Sequence, residues 1–272
     1  MLGDDIYQIP KLIKSDVLKR LSDLELKYNI KIIFAIESGS RAWGFASQDS
    51  DYDVRFIYMH GPEWYLNIVE QYAEIENNGA INLPINDDLD VAGWDLKKAL
   101  GLMLKSNPPL IEWLHSPIVY RQDSPVTRRL QKLAAQYYSP KSCIHHYLHM
   151  AKGNFNQYLN NKDEVLHKKY LYVIRPILAC RWIESRNNIA PMEIDKVMVT
   201  IDNHPIKSEI EALVAKKRAG SELSLGPPIK SLNDFLSSEI IRLEETAKKF
   251  EPPNHDMNEI NKSFREILGF SC

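Results

Sequence analysis

Residues 29–60 read NIKIIFAIESGSRAWGFASQDSDYDVRFIYMH: two apolar runs divided by a glycine-serine turn and a close pair of aspartates. Runs rich in Ile, Val, Phe and Tyr predict strands over 29–37 and 52–60. Gly39-Ser40 breaks the first run, and a short helix is expected near Ser40-Arg41-Ala42. Residues i and i+2 of a strand share a face, so a strand that begins by Asp51 projects Asp51 and Asp53 together. Two partly buried carboxylates repel, and a cation between them relieves that cost. An oxygen-only pair suits a hard divalent ion, most simply Mg²⁺. Glycine lets backbone approach an anion closely, and N–H groups with a serine hydroxyl at a helix start can hold phosphate oxygens. A phosphate holder beside a metal holder is the equipment of phosphoryl or nucleotidyl transfer. Taken alone, a D-x-D is more often a solvated turn, and a G-S pair is weaker still. The order strand, G-S, gap, D-x-D, strand is what narrows the reading.

The next strand candidate is DLDVAGWD (88–95), followed by a helix over 95–106 that Asp95 can cap. NNGAINLPIND reads as a loop, LIEWLHS as a short helix and PIVYR (117–121) as a further strand. After about residue 124 strand patterns fade. Helices are expected at 124–137, 140–160, 163–186, 205–218, 231–250 and 256–268, punctuated by prolines, and SELSLGPPIKS (221–231) reads as a flexible connection. The fold class is α+β: a mixed sheet with flanking helices over 1–123, then an all-helical domain over 124–272. A net charge of −2 excludes a polycation built to coat nucleic acid. Cys143, Cys180 and Cys272 are too dispersed for a zinc site or a disulfide framework. No signal core is visible, and no apolar run nears the roughly 20 residues of a membrane span. The expectation is a reduced, cytoplasmic protein.

The segments IESGS (36–40) and DYDV (51–54) resemble the signature of the nucleotidyltransferase superfamily related to DNA polymerase β. The longer texts GSRAWGFASQDSDYDVRFIY, LDVAGWDLKKAL, KSNPPLIEWLHSPIVY and KKYLYVIRPILACRWIE look like the branch that includes the RNA-ligase-associated proteins. The resemblance spans about residues 30–185. It implies a polymerase β-like catalytic domain with a helical domain closing the nucleotide cleft. It also implies a third carboxylate on a later strand. Asp90, in Leu89-Asp90-Val91, matches best; Asp95 is its rival, and Asp87 and Asp88 look like loop residues.

On this resemblance Asp51, Asp53 and Asp90 are the catalytic and metal-holding acids, with two Mg²⁺ ions or Mn²⁺ in their place. The third carboxylate helps activate a hydroxyl that attacks the α-phosphate of an NTP in line, and pyrophosphate leaves. Gly39, Ser40 and Arg41 would meet the nucleotide's phosphates, although Arg41 reads equally as a surface arginine. In the helix HKKYLYVIRPILACRWIESR (167–186), Lys168, Tyr172 and Arg175 share a face that could close over the triphosphate or base. Basic stems lying over an apolar stripe are the plainer reading of the same pattern. Pro176 is expected to kink this helix. The acceptor could be RNA, protein or a small molecule. Two other readings stand beside this one: a nucleotide- or RNA-binding module without turnover, and a toxin–antitoxin component that modifies a partner protein.

Overall fold

Helix α1 (Lys11–Tyr28) turns Val17, Leu21 and Leu24 inward and ends at Asn29 in the left-handed conformation, φ 50°. That conformation, which Asn tolerates well, releases the chain into strand β1 (Lys31–Glu37). The computed structural model describes residues 7–69, 76–85, 88–202, 204–220, 225–252 and 256–270. After β1 come a single turn of helix, α2 (Gly39–Ala42), and strands β2 (Tyr52–Met59), β3 (Ala80–Asn82), β4 (Leu89–Asp95) and β5 (Val119–Gln122). Helices α3 (Leu96–Leu104), α4 (Pro108–Leu114) and α5 (Ser124–Gln136) complete this stretch. The strands form one mixed sheet, in the order β3-β4-β2-β1-β5. β1 runs antiparallel to β2 and β5, β2 parallel to β4, and β3 antiparallel to β4.

β1 is buried at every position after Lys31 because both faces of the sheet are covered. One face sets Ile33, Ile36 and Ile57 against Leu96, Leu100, Trp113 and Leu133. The other sets Ile32, Ala35, Val54 and Phe56 against Val17 and Leu21 of α1. Each such Val, Leu, Ile or Phe side chain contributes roughly 1.5–3 kcal/mol on burial. The β4–α3 junction is fixed by Asp95, whose carboxylate accepts from Lys97 N at 2.8 Å. Asn107 and Asp123 cap α4 and α5 in the same way. One expectation fails here. Residues 80–82, read as a loop, form the edge strand β3, because Asn78 and Gly79 turn the chain at positive φ and β4 offers a free edge.

The chain divides into two compact units, residues 1–42, 51–137 and 254–272 in the first, and 43–50 and 138–253 in the second. The second unit holds helices α6 (Pro140–Tyr158), α7 (Lys168–Arg186), α8 (Ile194–Val197), α9 (His204–Arg218) and α10 (Lys230–Ala247). A two-stranded ribbon pairs β6 (Val165–Leu166), at the start of the stretch expected as helix 163–186, with β7 (Leu225–Gly226), in the stretch expected as a flexible connection. α7 runs unbroken through Pro176. The last helix, α11 (Met257–Ile267), belongs to the first unit, as does α5. This division differs from a linear split at 123/124 because Leu130 and Leu133 of α5 and Ile260 of α11 are buried in the sheet's own apolar cluster. Tyr137 fastens the return by donating to Asp256 O at 2.5 Å. Cys143 and Cys180 are buried and form no disulfide among the described residues. Among the described residues, no helix is long and apolar enough to cross a membrane.

Candidate active site

The glycine-serine turn and the second aspartate of the D-x-D meet because β1 and β2 are antiparallel neighbours, with Glu37 opposite Val54. Ser38 N donates to Asp53 O at 2.8 Å. Gly39 has φ +57°, and a Cβ there would stand 1.9 Å from Asp53 Oδ2. The bare glycine backbone therefore makes the room that the Asp53 carboxylate occupies. Ser40 follows within α2 and is half-buried. Arg41 is buried: its Nε donates to Asp51 O at 3.2 Å, and its guanidinium lies 3.8 Å over the Tyr52 ring. It clamps the backbone of the D-x-D segment and is no surface arginine.

β2 begins at Tyr52, so Asp51 stands one residue ahead of the strand and is exposed. The parallel pairing of β2 and β4 puts Asp90 directly beside Asp53. Asp95 is committed elsewhere, buried, accepting from Lys97 N at 2.8 Å and from the Tyr65 hydroxyl at 2.5 Å. Asp88 lies just before β4, and Asp87 lies outside the described residues. Burial holds the Asp53 carboxyl above the usual carboxylate range; Arg55 opposes this, while the charges of Asp90 and Asp51 push it further up. One nitrogen, Arg55 Nη2, donates to Asp53 Oδ1 at 3.1 Å and to Asp90 Oδ2 at 2.8 Å. Arg55 Nη1 donates to Val54 O at 3.1 Å and Asp90 O at 3.0 Å, which fixes the guanidinium across the two strands. Among the described residues no three His, Cys, Asp or Glu side chains are drawn together into a metal cage. Even so, two carboxylate oxygens from adjacent strands converge on one cationic atom, and a third acid lies within electrostatic reach. Such a set of hard oxygen donors fits a divalent ion such as Mg²⁺.

Glu37 closes the site from below. It is fully buried; its Oε1 accepts from Asp53 N at 2.8 Å and its Oε2 from the Tyr120 hydroxyl at 2.7 Å. Burial pushes its carboxyl up to about 7, although the bonds from Tyr120 and Asp53 work against it. The folded chain thus holds a proton that the unfolded chain gives up near 4.5. Stability from this group is complete below pH 4.5 and is lost as pH rises through about 7. That rise corresponds to roughly 3 kcal/mol. Glu37→Gln keeps the shape and removes the titration. Urea melts across pH 4–8 are expected to show the variant gaining on the wild type by about that amount between pH 4.5 and 8.

In the second unit the three expected nucleotide contacts part company. Lys168 is exposed at the start of α7, where its charge helps hold Asp49 below the usual range, after the larger contributions of Ser47, the Asp49 backbone and Lys217. Tyr172 is 39% exposed and meets the Trp43 ring edge-on at 6.2 Å. Arg175 is 2% exposed, with Nε donating to Met192 O at 3.0 Å and Nη2 to Pro191 O at 3.1 Å. It sits between the rings of Trp43 and Tyr147, at 6.0 and 5.8 Å. The expectation that Arg175 offers a surface guanidinium to a nucleotide is corrected: packing within its own unit takes up the side chain.

Glu37 and Arg55 escaped the sequence reading. Each left a signal, a carboxylate ending an otherwise buried run in IIFAIE and an arginine two residues after Asp53 on the same strand face. With the geometry in hand, comparison with known proteins gives three findings. Residues 13–266 match a family described as "RNA repair pathway DNA polymerase beta family". The uncharacterized protein YcgL of Bacillus subtilis (strain 168) is 45% identical over 251 residues, covering 92% of this chain and 94% of that one. A crystal structure of a nucleotidyltransferase-like protein from Exiguobacterium sibiricum 255-15 aligns at 9% identity and a TM-score of 0.30, over 94% of this chain and 79% of that one.

Proposed function

The chain belongs to the RNA repair pathway DNA polymerase beta family, and we propose on that footing that it transfers a nucleoside monophosphate from an NTP to a hydroxyl of an RNA, protein or small-molecule acceptor. The observation that carries the reading is the convergence of Asp53 and Asp90 beside Gly39. Asp51, Asp53 and Asp90 would hold the cation, Mg²⁺ or Mn²⁺. When bound, that cation supplies neutralising charge at the reacting phosphate and makes the acceptor hydroxyl more acidic. Gly39 and Ser40 would present backbone and hydroxyl donors to the triphosphate. Asp90 takes the acceptor's proton as its oxygen attacks the α-phosphorus. The bond from that phosphorus to the bridging oxygen breaks in line, and pyrophosphate leaves. Glu37 and Arg41 position this apparatus, one under Asp53 N and one on Asp51 O.

Incubation with α-labelled ATP, CTP, GTP or UTP, Mg²⁺ and candidate acceptors is expected to yield pyrophosphate and a labelled acceptor. Asp51→Asn should cut that transfer by at least roughly 10–100-fold, since losing a group that would hold the cation costs no less than losing one of a metal's outer-shell partners. Undiminished transfer would overturn the assignment. One observation favours a second reading, a nucleotide-binding scaffold without turnover: both paired acids already share one cation, Arg55. Metal-dependent NTP binding with no pyrophosphate release would carry that alternative.

A further inference from the structure

We infer that Arg55 is a resident cation of the acid site, competing with a free divalent ion for Asp53 and Asp90 while attracting the same ion once it is complexed to a polyphosphate. The inference rests on the nucleotidyltransferase reading of these acids. Its starting point is geometric. Arg55 Nη2 stands at the meeting point of Asp53 Oδ1 and Asp90 Oδ2, at 3.1 and 2.8 Å. Its other nitrogen is tied to two backbone carbonyls, so the guanidinium is held in place by the sheet itself. Asp53 and Arg55 point the same way because they are two apart on β2, and Asp90 joins them through the parallel register. The Arg55 side chain is only 19% exposed, so water screens it weakly.

A guanidinium keeps its charge at every physiological pH. A free divalent ion bound to the same oxygens would therefore face a fixed positive charge a few ångströms away, and would have to displace charge-assisted hydrogen bonds. A metal–triphosphate complex presents the opposite case. Its net charge is negative, so the guanidinium that opposes a bare ion attracts the polyphosphate and offsets part of its repulsion from the acids. Arg55 thus sorts free metal from metal that arrives on a nucleotide. An aliphatic residue at this position would leave two bare acids that bind either form.

Electron paramagnetic resonance of Mn²⁺ tests this without any turnover. Free Mn²⁺ is titrated into the full chain, wild type and Arg55→Met, with and without inorganic triphosphate. Arg55→Met is expected to bind free Mn²⁺ about tenfold more tightly, the scale of one lost charge-assisted hydrogen bond. Triphosphate should raise Mn²⁺ retention in the wild type and raise it less in the variant. Arg55→Lys, which keeps the charge but not the planar fork, should shift in the same direction by less, and it decides the matter if Arg55→Met does not fold. Equal or weaker Mn²⁺ binding in the variant, lost from both proteins on adding Asp53→Asn, overturns the role of Arg55 alone. Mn²⁺ binding that ignores Asp53→Asn in every background overturns the metal-site reading and this inference with it.

Discussion

Asp53→Asn is expected to lower nucleotidyl transfer by a factor of about 10³ or more while leaving the metal-free protein at least as stable as the wild type at pH 8. The first effect follows from position. Asp53 is the acid that Gly39, Asp90, Arg55 and Glu37 all converge on. Several kcal/mol of charge stabilisation at the reacting phosphate depend on the cation it would hold, and each 1.36 kcal/mol is tenfold in rate. The second effect follows from the sign of its titration. Burial, with the charges of Asp90 and Asp51, outweighs Arg55 and raises the Asp53 carboxyl above 3.8. A group raised in the folded state lends stability below its unfolded value and loses that contribution as pH climbs through the folded one. As pH climbs the wild type therefore loses this contribution, and Asn, which does not titrate, does not. Melting in EDTA across pH 4–8, beside a transfer assay in Mg²⁺, measures both. A variant that melts well below the wild type at pH 8 would mean that Asp53 holds the fold together, contrary to its raised titration. A site that weakens the protein holding it is the usual mark of function set against stability.

What was legible in the sequence was whatever a short window determines. The two central strands announce themselves because β1 and β2 are buried on both faces and so read as apolar runs. The Asp95 cap and the Asn107-Pro108 helix start are local chemistry, and both stand where the sequence put them. Asp90 was readable as an acid between two apolar residues, but its place beside Asp53 is a matter of register between strands distant in the chain. β3, three residues long, has no periodicity to detect and exists through its pairing with β4. The membership of α5 and α11 depends on which apolar surface they cover, a fact that no helix carries in its own letters. Arg175 misled for a related reason. α7 buries most of its residues between Tyr170 and Ile183, so helical spacing alone could not show which basic side chain faces water. Arg55 and Glu37 were missed because a charge inside an apolar strand looks like noise until its partners across the sheet are known.

Gly39→Ala offers the sharpest test of whether the turn and the acids form one device. The substitution adds a single methyl group, yet that carbon would land 1.9 Å from Asp53 Oδ2 at a backbone φ of +57°. Two penalties combine. An L-residue held in the left-handed region pays about 1–3 kcal/mol, and a methyl forced into a packed site adds a similar amount. A stability loss of roughly 2–5 kcal/mol is expected in urea titration. Relief can come only if Asp53 rotates away or β1 and β2 shift apart, because Ser38 N is tied to Asp53 O at 2.8 Å and the backbone cannot hinge freely there. Either relief moves the carboxylate by about an ångström, which for positioned catalytic groups corresponds to about a 100-fold loss in rate. The combined variant Gly39→Ala with Asp53→Gly separates the two penalties. Removing the carboxylate removes the collision but not the backbone strain, so the double variant should recover part of the lost stability and none of the activity. Additive losses in that cycle would mean that Gly39 and Asp53 do not share a space, and the turn would then be an ordinary loop next to an acidic strand.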